Sequence, residues 1–335
     1  MPAARMQEQP SQRRVARALR AGGPEVIEVA TEDLPPLQSG EVLVRVEAAG
    51  LNHAETLIRS GNYPVHLPFP FPLGGEGAGV VVAAGPGGAL LPGARVCWAA
   101  VLGSCATLVT APAAMLLPIP EGLSFEDAAC LPVAALTAGG LARVWPLQGK
   151  PAVVWGAAGA VGRMLVALLA ARQVEVLGIA SGTRTAPVRA AVAAHVLDRS
   201  ALGGLEAVRD AVRELTGGRG AAAVFDPIGA PTFETSLEML APRGCLINYG
   251  ELSGAPPAIS LHRLFPRSLF VTKYNGMQWA GVHEFAALIS DGLALAAENR
   301  ALISDIAAKF PLDRAADAYR ALESDPGGKL LVLPE

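Results

Sequence analysis

Apolar and polar residues alternate with period two along Glu41–Ala48, EVLVRVEA, the pattern of a half-buried β-strand. Val80–Ala84 and Arg95–Ala100 are further short apolar runs bounded by glycine or proline, so the first ordered third reads as antiparallel β structure punctuated by turns. After about Leu131 the pattern changes. Ala152–Trp155 is an apolar run of strand length, Ala160–Ala171 an apolar segment of helix length, and Val174–Ala180 a second run of β-branched and apolar residues. Strand, helix and strand in so short a span form a βαβ unit and predict a parallel sheet. The alternation continues through Ala221–Asp226 (strand), Thr232–Leu240 (helix), Gly244–Tyr249 (strand) and Leu269–Tyr274 (strand). Helices are expected at Val282–Ser290 and Leu312–Leu322, followed by a strand at Lys329–Leu333. That last strand has no partner nearby in sequence, so the tail is expected to return to the N-terminal β region. The expected fold class is α/β, with a doubly wound domain over 134–274 and a mainly β domain over 15–133 and 275–335. Residues 1–14 read as a disordered extension.

Composition narrows the function. The chain has 335 residues, 51% hydrophobic and 17% charged, with a net charge of -3. Its length suits about two domains, and its apolar share excludes a disordered protein. A near-neutral balance gives no basic surface for nucleic acid. The mean hydropathy is high, +0.37, yet no stretch of about 20 unbroken apolar residues occurs that would span a bilayer as a helix. The first 20 residues carry Arg5, Arg13, Arg14, Arg17 and Arg20, but Glu8, Pro10 and the missing apolar core do not make a secretory signal, so a cytoplasmic location is expected. Cys97, Cys105, Cys130 and Cys245 are too scattered for a disulfide framework and are expected to be reduced and buried. No CxxC, HxxxH or HExxH spacing occurs, so the usual zinc signatures are absent.

Chemistry enters at the turn Val153-Val154-Trp155-Gly156-Ala157-Ala158-Gly159-Ala160-Val161-Gly162, between a predicted strand and a predicted helix. Against the dinucleotide fingerprint GxGxxG it supplies Ala157, Gly159 and Gly162. Gly159 lets the backbone approach a pyrophosphate, Gly162 lets the helix pack on its strand, and the first helical N–H groups, at Ala160 and Val161, face the phosphates. A Rossmann domain follows. Cofactor choice falls at the end of the second strand, where an acid would bind a ribose 2'-hydroxyl. Here the chain reads Ser181-Gly182-Thr183-Arg184, with no acid, and a hydroxyl and guanidinium suit a 2'-phosphate. NADPH is therefore the expected cofactor.

Several ordered strings then resemble a family. Ala49-Gly50-Leu51-Asn52-His53-Ala54-Glu55, Arg59-Ser60-Gly61-Asn62-Tyr63-Pro64, Leu73-Gly74-Gly75-Glu76-Gly77-Ala78-Gly79, Leu131-Pro132-Val133-Ala134-Ala135-Leu136-Thr137-Ala138, Leu215-Thr216-Gly217-Gly218-Arg219-Gly220 and Phe225-Asp226-Pro227-Ile228-Gly229 are similar to those of the zinc-independent medium-chain dehydrogenases/reductases, in particular the quinone oxidoreductase group. The resemblance implies a GroES-like β domain joined to the nucleotide-binding domain. Where zinc-dependent relatives have a cysteine and a histidine ligand, this chain has Asn52 and Gly75, and no zinc is implied. It implies that Asn52 lies near nicotinamide and substrate, that Thr137 contacts the nicotinamide, and that Tyr63 donates a proton or positions the substrate. Tyr249 and Gly250, ending a predicted strand, join the expected cofactor residues.

His53 and His66 stand close to these strings but are read as structural or exposed. Glu76 is read as a partly buried carboxylate needing a cation, with Lys329 the candidate. The expected function is NADPH-dependent hydride transfer to an electron-poor small molecule, a quinone or a C=C conjugated to a carbonyl. Alternatives are an enoyl reductase of polyketide-type metabolism and a crystallin-like NADPH-binding protein without turnover. A homodimer joined through Leu269–Tyr274 is expected, because an apolar edge strand calls for cover.

Overall fold

The charged N-terminal stretch is a strand: β1 (Gln12–Ala18) pairs antiparallel with β2 (Ile27–Asp33), in register from Gln12↔Asp33 to Ala18↔Ile27. This corrects the expected extension over 1–14, because residues 12–14 belong to the ladder; residues 1–9 lie outside those described. Arg13, within the expected extension, and Arg17 have partners across the ladder, Arg13 with Glu32 at 3.2 Å and Arg17 with Glu28 at 2.5 Å, so the charges form one face of a three-stranded sheet completed by the short strand Phe71–Pro72. The computed structural model describes residues 10–88, 90–191, 193–279, 282–324 and 327–335. It divides into two units, Met1–Val133 with Ser304–Glu335, and Ala134–Ile303.

In the first unit, β3 (Glu41–Gly50) is followed by α1 (His53–Ser60), β4 (Phe71–Pro72), β5 (Glu76–Ala84), β6 (Arg95–Ala99), β7 (Leu108–Pro112), β8 (Leu116–Pro118) and α2 (Phe125–Ala129). The alternation along β3 predicted one buried face. Instead Val42, Leu43 and Val44 are all fully buried, because β3 is central, pairing with β5 and β7. Glycine ends α1 as expected of a left-handed cap, with Gly61 at φ 77° donating to Ile58 and Leu57 carbonyls.

The second unit follows α3 (Pro132–Val144), whose first residues still belong to the first. It contains β9 (Ala152–Trp155), α4 (Ala160–Ala171), β10 (Val176–Ala180), α5 (Thr185–Ala190), β11 (His195–Asp198), α6 (Arg199–Leu202), α7 (Leu205–Leu215), β12 (Ala221–Asp226), α8 (Phe233–Met239), β13 (Leu240–Asn248), α9 (Leu261–Leu264), β14 (Phe270–Lys273), α10 (Gly276–Trp279) and α11 (Val282–Glu298). All six strands are parallel, in the order β11-β10-β9-β12-β13-β14. Renumbered within the unit this is the doubly wound dinucleotide-binding order, with its crevice where the strand order reverses, between β9 and β12. Val153, Trp155, Leu177, Val224 and Leu246 fill the core on one side of the sheet.

The expected end of this unit at 274 is corrected to Ile303. α11 runs 17 residues, well beyond Ser290. Its apolar face buries Phe285, Leu288, Ile289 and Leu293, and α3 accepts it through small residues: a Cβ on Gly139 would meet Leu288 at 2.8 Å, and one on Gly292 would meet Ala135 at 2.4 Å. The tail then provides β15 (Ile306–Pro311), α12 (Ala315–Glu323) and β16 (Lys329–Leu333). β16 lies between parallel β15 and antiparallel β3, with Leu331 opposite Gly50. Residues from opposite ends of the chain thus complete one sheet.

Candidate active site

In the second unit the glycine turn leaves β9 at Trp155, whose indole Nε1 donates to Ser236 Oγ at 2.9 Å. Gly156 has φ +61°, the left-handed region that favours glycine. Gly159 caps α4; a Cβ there would meet only the Gly156 carbonyl, at 3.3 Å, and otherwise open space. That open side lies at the first N–H groups of α4, at Ala160 and Val161, and fits a dinucleotide pyrophosphate. Gly162 is small for a different reason. A Cβ would stand 2.2 Å from the Gly156 oxygen and 2.7 Å from Ala157 Cα, so the helix rests directly on the turn. Ala157 is buried, and its N–H donates to the Ile179 carbonyl at 3.1 Å, tying the turn to β10.

Sequence reasoning missed Arg163. It is 5% exposed, with Nε donating to the Ala158 carbonyl at 2.8 Å and Nη1 to the Ile303 carbonyl at 3.0 Å. The glycine motif carries no sign of it, since its acceptors come from segments far apart in sequence.

After β10, Ser181 is half-buried, and Gly182–Arg184 form a single 3-10 turn with Arg184 exposed. Asp198, ending the adjacent β11, is committed to this loop. Its Oδ1 accepts from the Gly182 N–H at 3.0 Å, the Ser200 N–H at 2.9 Å and the Ser200 hydroxyl at 2.5 Å. The Ser200 hydroxyl and then the Gly182 N–H pull its carboxyl down to about 2. Asp198 therefore shapes the loop and spends its oxygen on protein donors.

Beyond β12 another acid, this one buried, organises the opposite side of the crevice. Asp226 Oδ1 accepts from the Ile228 N–H at 2.7 Å, and its Oδ2 from Thr232 Oγ1 at 2.7 Å and Ser236 Oγ at 3.0 Å. Tyr249 follows β13, its N–H on the Asp226 carbonyl at 3.0 Å, and burial pushes its hydroxyl far up. A Cβ on Gly250 would lie 2.7 Å from the Pro227 carbonyl. Thr137 is half-buried on α3 between buried neighbours.

The first unit gathers a polar cluster under α1. Asn52 caps that helix, and its Nδ2 donates to Glu76 Oε1 at 3.0 Å while its Oδ1 accepts from Lys329 Nζ at 2.9 Å. Glu76 is 0% exposed and Lys329 7% exposed; they form an ion pair, as the sequence expected, and Glu76 Oε2 also accepts the Val133 N–H at 2.8 Å. Glu55, in the first turn of α1, is half-buried and accepts from the Tyr319 hydroxyl of α12 through Oε2. Burial pushes its carboxyl up to about 7, against the pull of Tyr319 and Lys329. Glu55 was visible in the family-like string but carried no signal of its own, because its environment is supplied by α12 and β16. Tyr63 lies half-buried in the loop between α1 and β4, and no hydrogen bond joins it to this cluster among the described residues.

A zinc ion does not fit here. The Asn52 oxygen already holds an ammonium group, Gly75 offers no side chain, and no cluster of three or more His, Cys, Asp or Glu side chains converges among the described residues.

A six-stranded doubly wound domain with a dinucleotide-accepting turn, in one chain with a β unit carrying an amide and carboxyl cluster, defines a two-unit dinucleotide-binding oxidoreductase. Residues 38–122 match the alcohol dehydrogenase GroES-like domain, and residues 160–291 the zinc-binding dehydrogenase family. A quinone oxidoreductase of Pseudomonas aeruginosa is 35% identical over 93% of this chain and 97% of its own. A mycobacterial protein solved in complex with NADPH superposes with a TM-score of 0.84, 33% identity and coverage of 96% and 100%. The Escherichia coli quinone oxidoreductase complexed with NADPH gives a TM-score of 0.84 at 28% identity, again covering 96% and 100%. The chain belongs to the medium-chain dehydrogenase/reductase superfamily, in its quinone oxidoreductase group.

Proposed function

We propose that this protein is an NADPH-dependent, metal-free reductase of quinones or of C=C bonds conjugated to a carbonyl. The observation that carries the reading is the glycine turn, uncovered at Gly159 and followed by a loop with Arg184 exposed and Asp198 Oδ1 taken up by the Gly182 and Ser200 N–H groups. The relatives crystallised with NADPH support the same choice. When bound, NADPH supplies a hydride from its nicotinamide ring. The chain's own work is binding and orientation. The N–H groups of Ala160 and Val161 hold the pyrophosphate, Ser181 and Arg184 hold the 2'-phosphate, and Thr137, Tyr249 and Gly250 border the rest of the cofactor. On the substrate side, Lys329 and Glu76 fix which end of the Asn52 amide faces which way, leaving one Nδ2 proton only weakly engaged and free to meet a substrate oxygen. Tyr63 orients the acceptor from the neighbouring loop.

The same reading includes a homodimer through the edge strand β14, where Phe270 is 51% exposed and packs on Trp145 with ring centroids 4.9 Å apart. NADPH consumption over a panel of quinones, enals, enones and acyl thioesters tests the function. Oxidation of NADPH by one of these classes, with NADH a poor substitute, is the expected result. Tight NADPH binding with no turnover across the panel overturns it.

A further inference from the structure

We propose that Glu55 is a catalytic residue, the group that gives a proton to the substrate oxygen on which negative charge develops. The proposal rests on the reductase reading above and names the proton source that reading lacks.

Two other carboxyls in sealed polar clusters are saturated. Glu76 is taken up by Lys329, Asn52 and the Val133 N–H, and Asp226 by two backbone N–H groups, Thr232 and Ser236. Glu55 is different on one side only. Its Oε2 accepts the Tyr319 hydroxyl, while Oε1 has just a long contact of 3.4 Å from the Asn52 amide. Oε1 also faces Gly75, where the nearest point a side chain could begin is 3.7 Å away. The missing side chain leaves that oxygen approachable, next to the amide assigned to the substrate. Tyr63, by contrast, has no partner among the described residues to receive the charge that proton loss would leave on it.

The groups facing Glu55 come from every neighbouring element: Tyr319 on α12, Lys329 on β16, Glu76 on β5, Cys105 from the segment before β7, and Asn52 at its own helix cap. Burial raises the carboxyl to about 7, so near neutral pH a large fraction carries the proton. Tyr319 and Lys329 then stabilise the carboxylate that remains. In the step, hydride brings two electrons and one hydrogen to the acceptor. The Glu55 O–H bond breaks, an O–H bond forms on the acceptor oxygen, and the electron pair stays on Glu55. Solvent returns the proton, giving NADPH + quinone + H+ → NADP+ + hydroquinone. A positioned acid of this kind contributes about 10²- to 10⁴-fold.

The test is the single-turnover rate of NADPH oxidation by the full chain, measured against pH for wild type, Glu55→Gln and Tyr319→Phe, with NADPH affinity measured for each. Wild type is expected to slow as pH rises through about 7. Glu55→Gln should be slower by about 10²-fold and lose that limb, with NADPH affinity kept. Tyr319→Phe removes a donor that favours the carboxylate, so the limb should move to higher pH. A Glu55→Gln variant with wild-type rate and limb overturns the proton-donor role alone; should that variant not fold, an unmoved limb in Tyr319→Phe overturns it equally. No turnover by wild type with any acceptor would remove the reductase reading and this proposal with it.

Discussion

Lys329 and Glu76, 253 positions apart in the sequence, form a buried ion pair that joins the last strand of the chain to the N-terminal sheet. Both side chains are almost inaccessible, at 7% and 0%. Lys329→Met leaves Glu76 charged and unpaired, which typically costs about 3 to 5 kcal/mol. Chemical denaturation should show that loss. The double variant Lys329→Met/Glu76→Gln should recover much of it, because no lone buried charge remains.

The two glycines of the turn should separate stability from binding. Gly162→Ala forces a Cβ to within 2.2 Å of a backbone oxygen and should destabilise the fold by about 1 to 3 kcal/mol or more. Gly159→Ala meets only one atom, at 3.3 Å, and should melt close to wild type. Its loss should appear in NADPH titrations, with affinity weakened by roughly 10-fold or more as the methyl occupies the phosphate side.

Arg184→Ala should weaken NADPH by roughly 10- to 150-fold, the worth of a charge-assisted hydrogen bond of about 1.5 to 3 kcal/mol. NADH affinity should barely change. Equal loss of both cofactors in fluorescence titrations would assign the 2'-phosphate elsewhere.

Stability should depend on pH through Glu55. Its folded carboxyl is raised to about 7 from an ordinary value of 4.5, so the unfolded chain releases that proton first. The contribution is fully present below about 4.5 and is lost as pH rises through about 7. Thermal melts of wild type should therefore fall across this window relative to Glu55→Gln, which cannot titrate.

Sedimentation at micromolar concentration should give a dimer, and Phe270→Glu, at the free edge of the parallel sheet, should shift it toward monomer.

What could be read from the sequence was what is local. The turn after β9 places strand, glycines and helix in consecutive residues, so its geometry follows from the string itself, and the β-branched runs of the parallel sheet are equally self-contained. β1 was hidden because Arg13 and Arg17 look solvated until Glu28 and Glu32 arrive from the next strand. The boundary at Ile303 was hidden because α11 is apolar whichever unit it serves, and its close packing on α3, Gly292 against Ala135 and Leu288 against Gly139, decides which. Glu55 reads as an ordinary helix-surface acid. Its character comes from Tyr319, 264 positions away, and no spacing rule reaches that far.

The four cysteines bear on the kind of molecule this protein is proposed to handle. Quinones and conjugated carbonyls are electrophiles that thiolates attack and that alkylate them. Cys97, Cys105, Cys130 and Cys245 are all free and buried. Burial holds Cys97, Cys130 and Cys245 at about 12 and Cys105 well above its ordinary value, so each stays a neutral thiol at working pH. A protein built this way presents no ready thiolate at these four positions to the electrophiles it is proposed to reduce, so the proposed chemistry would not consume it through its cysteines.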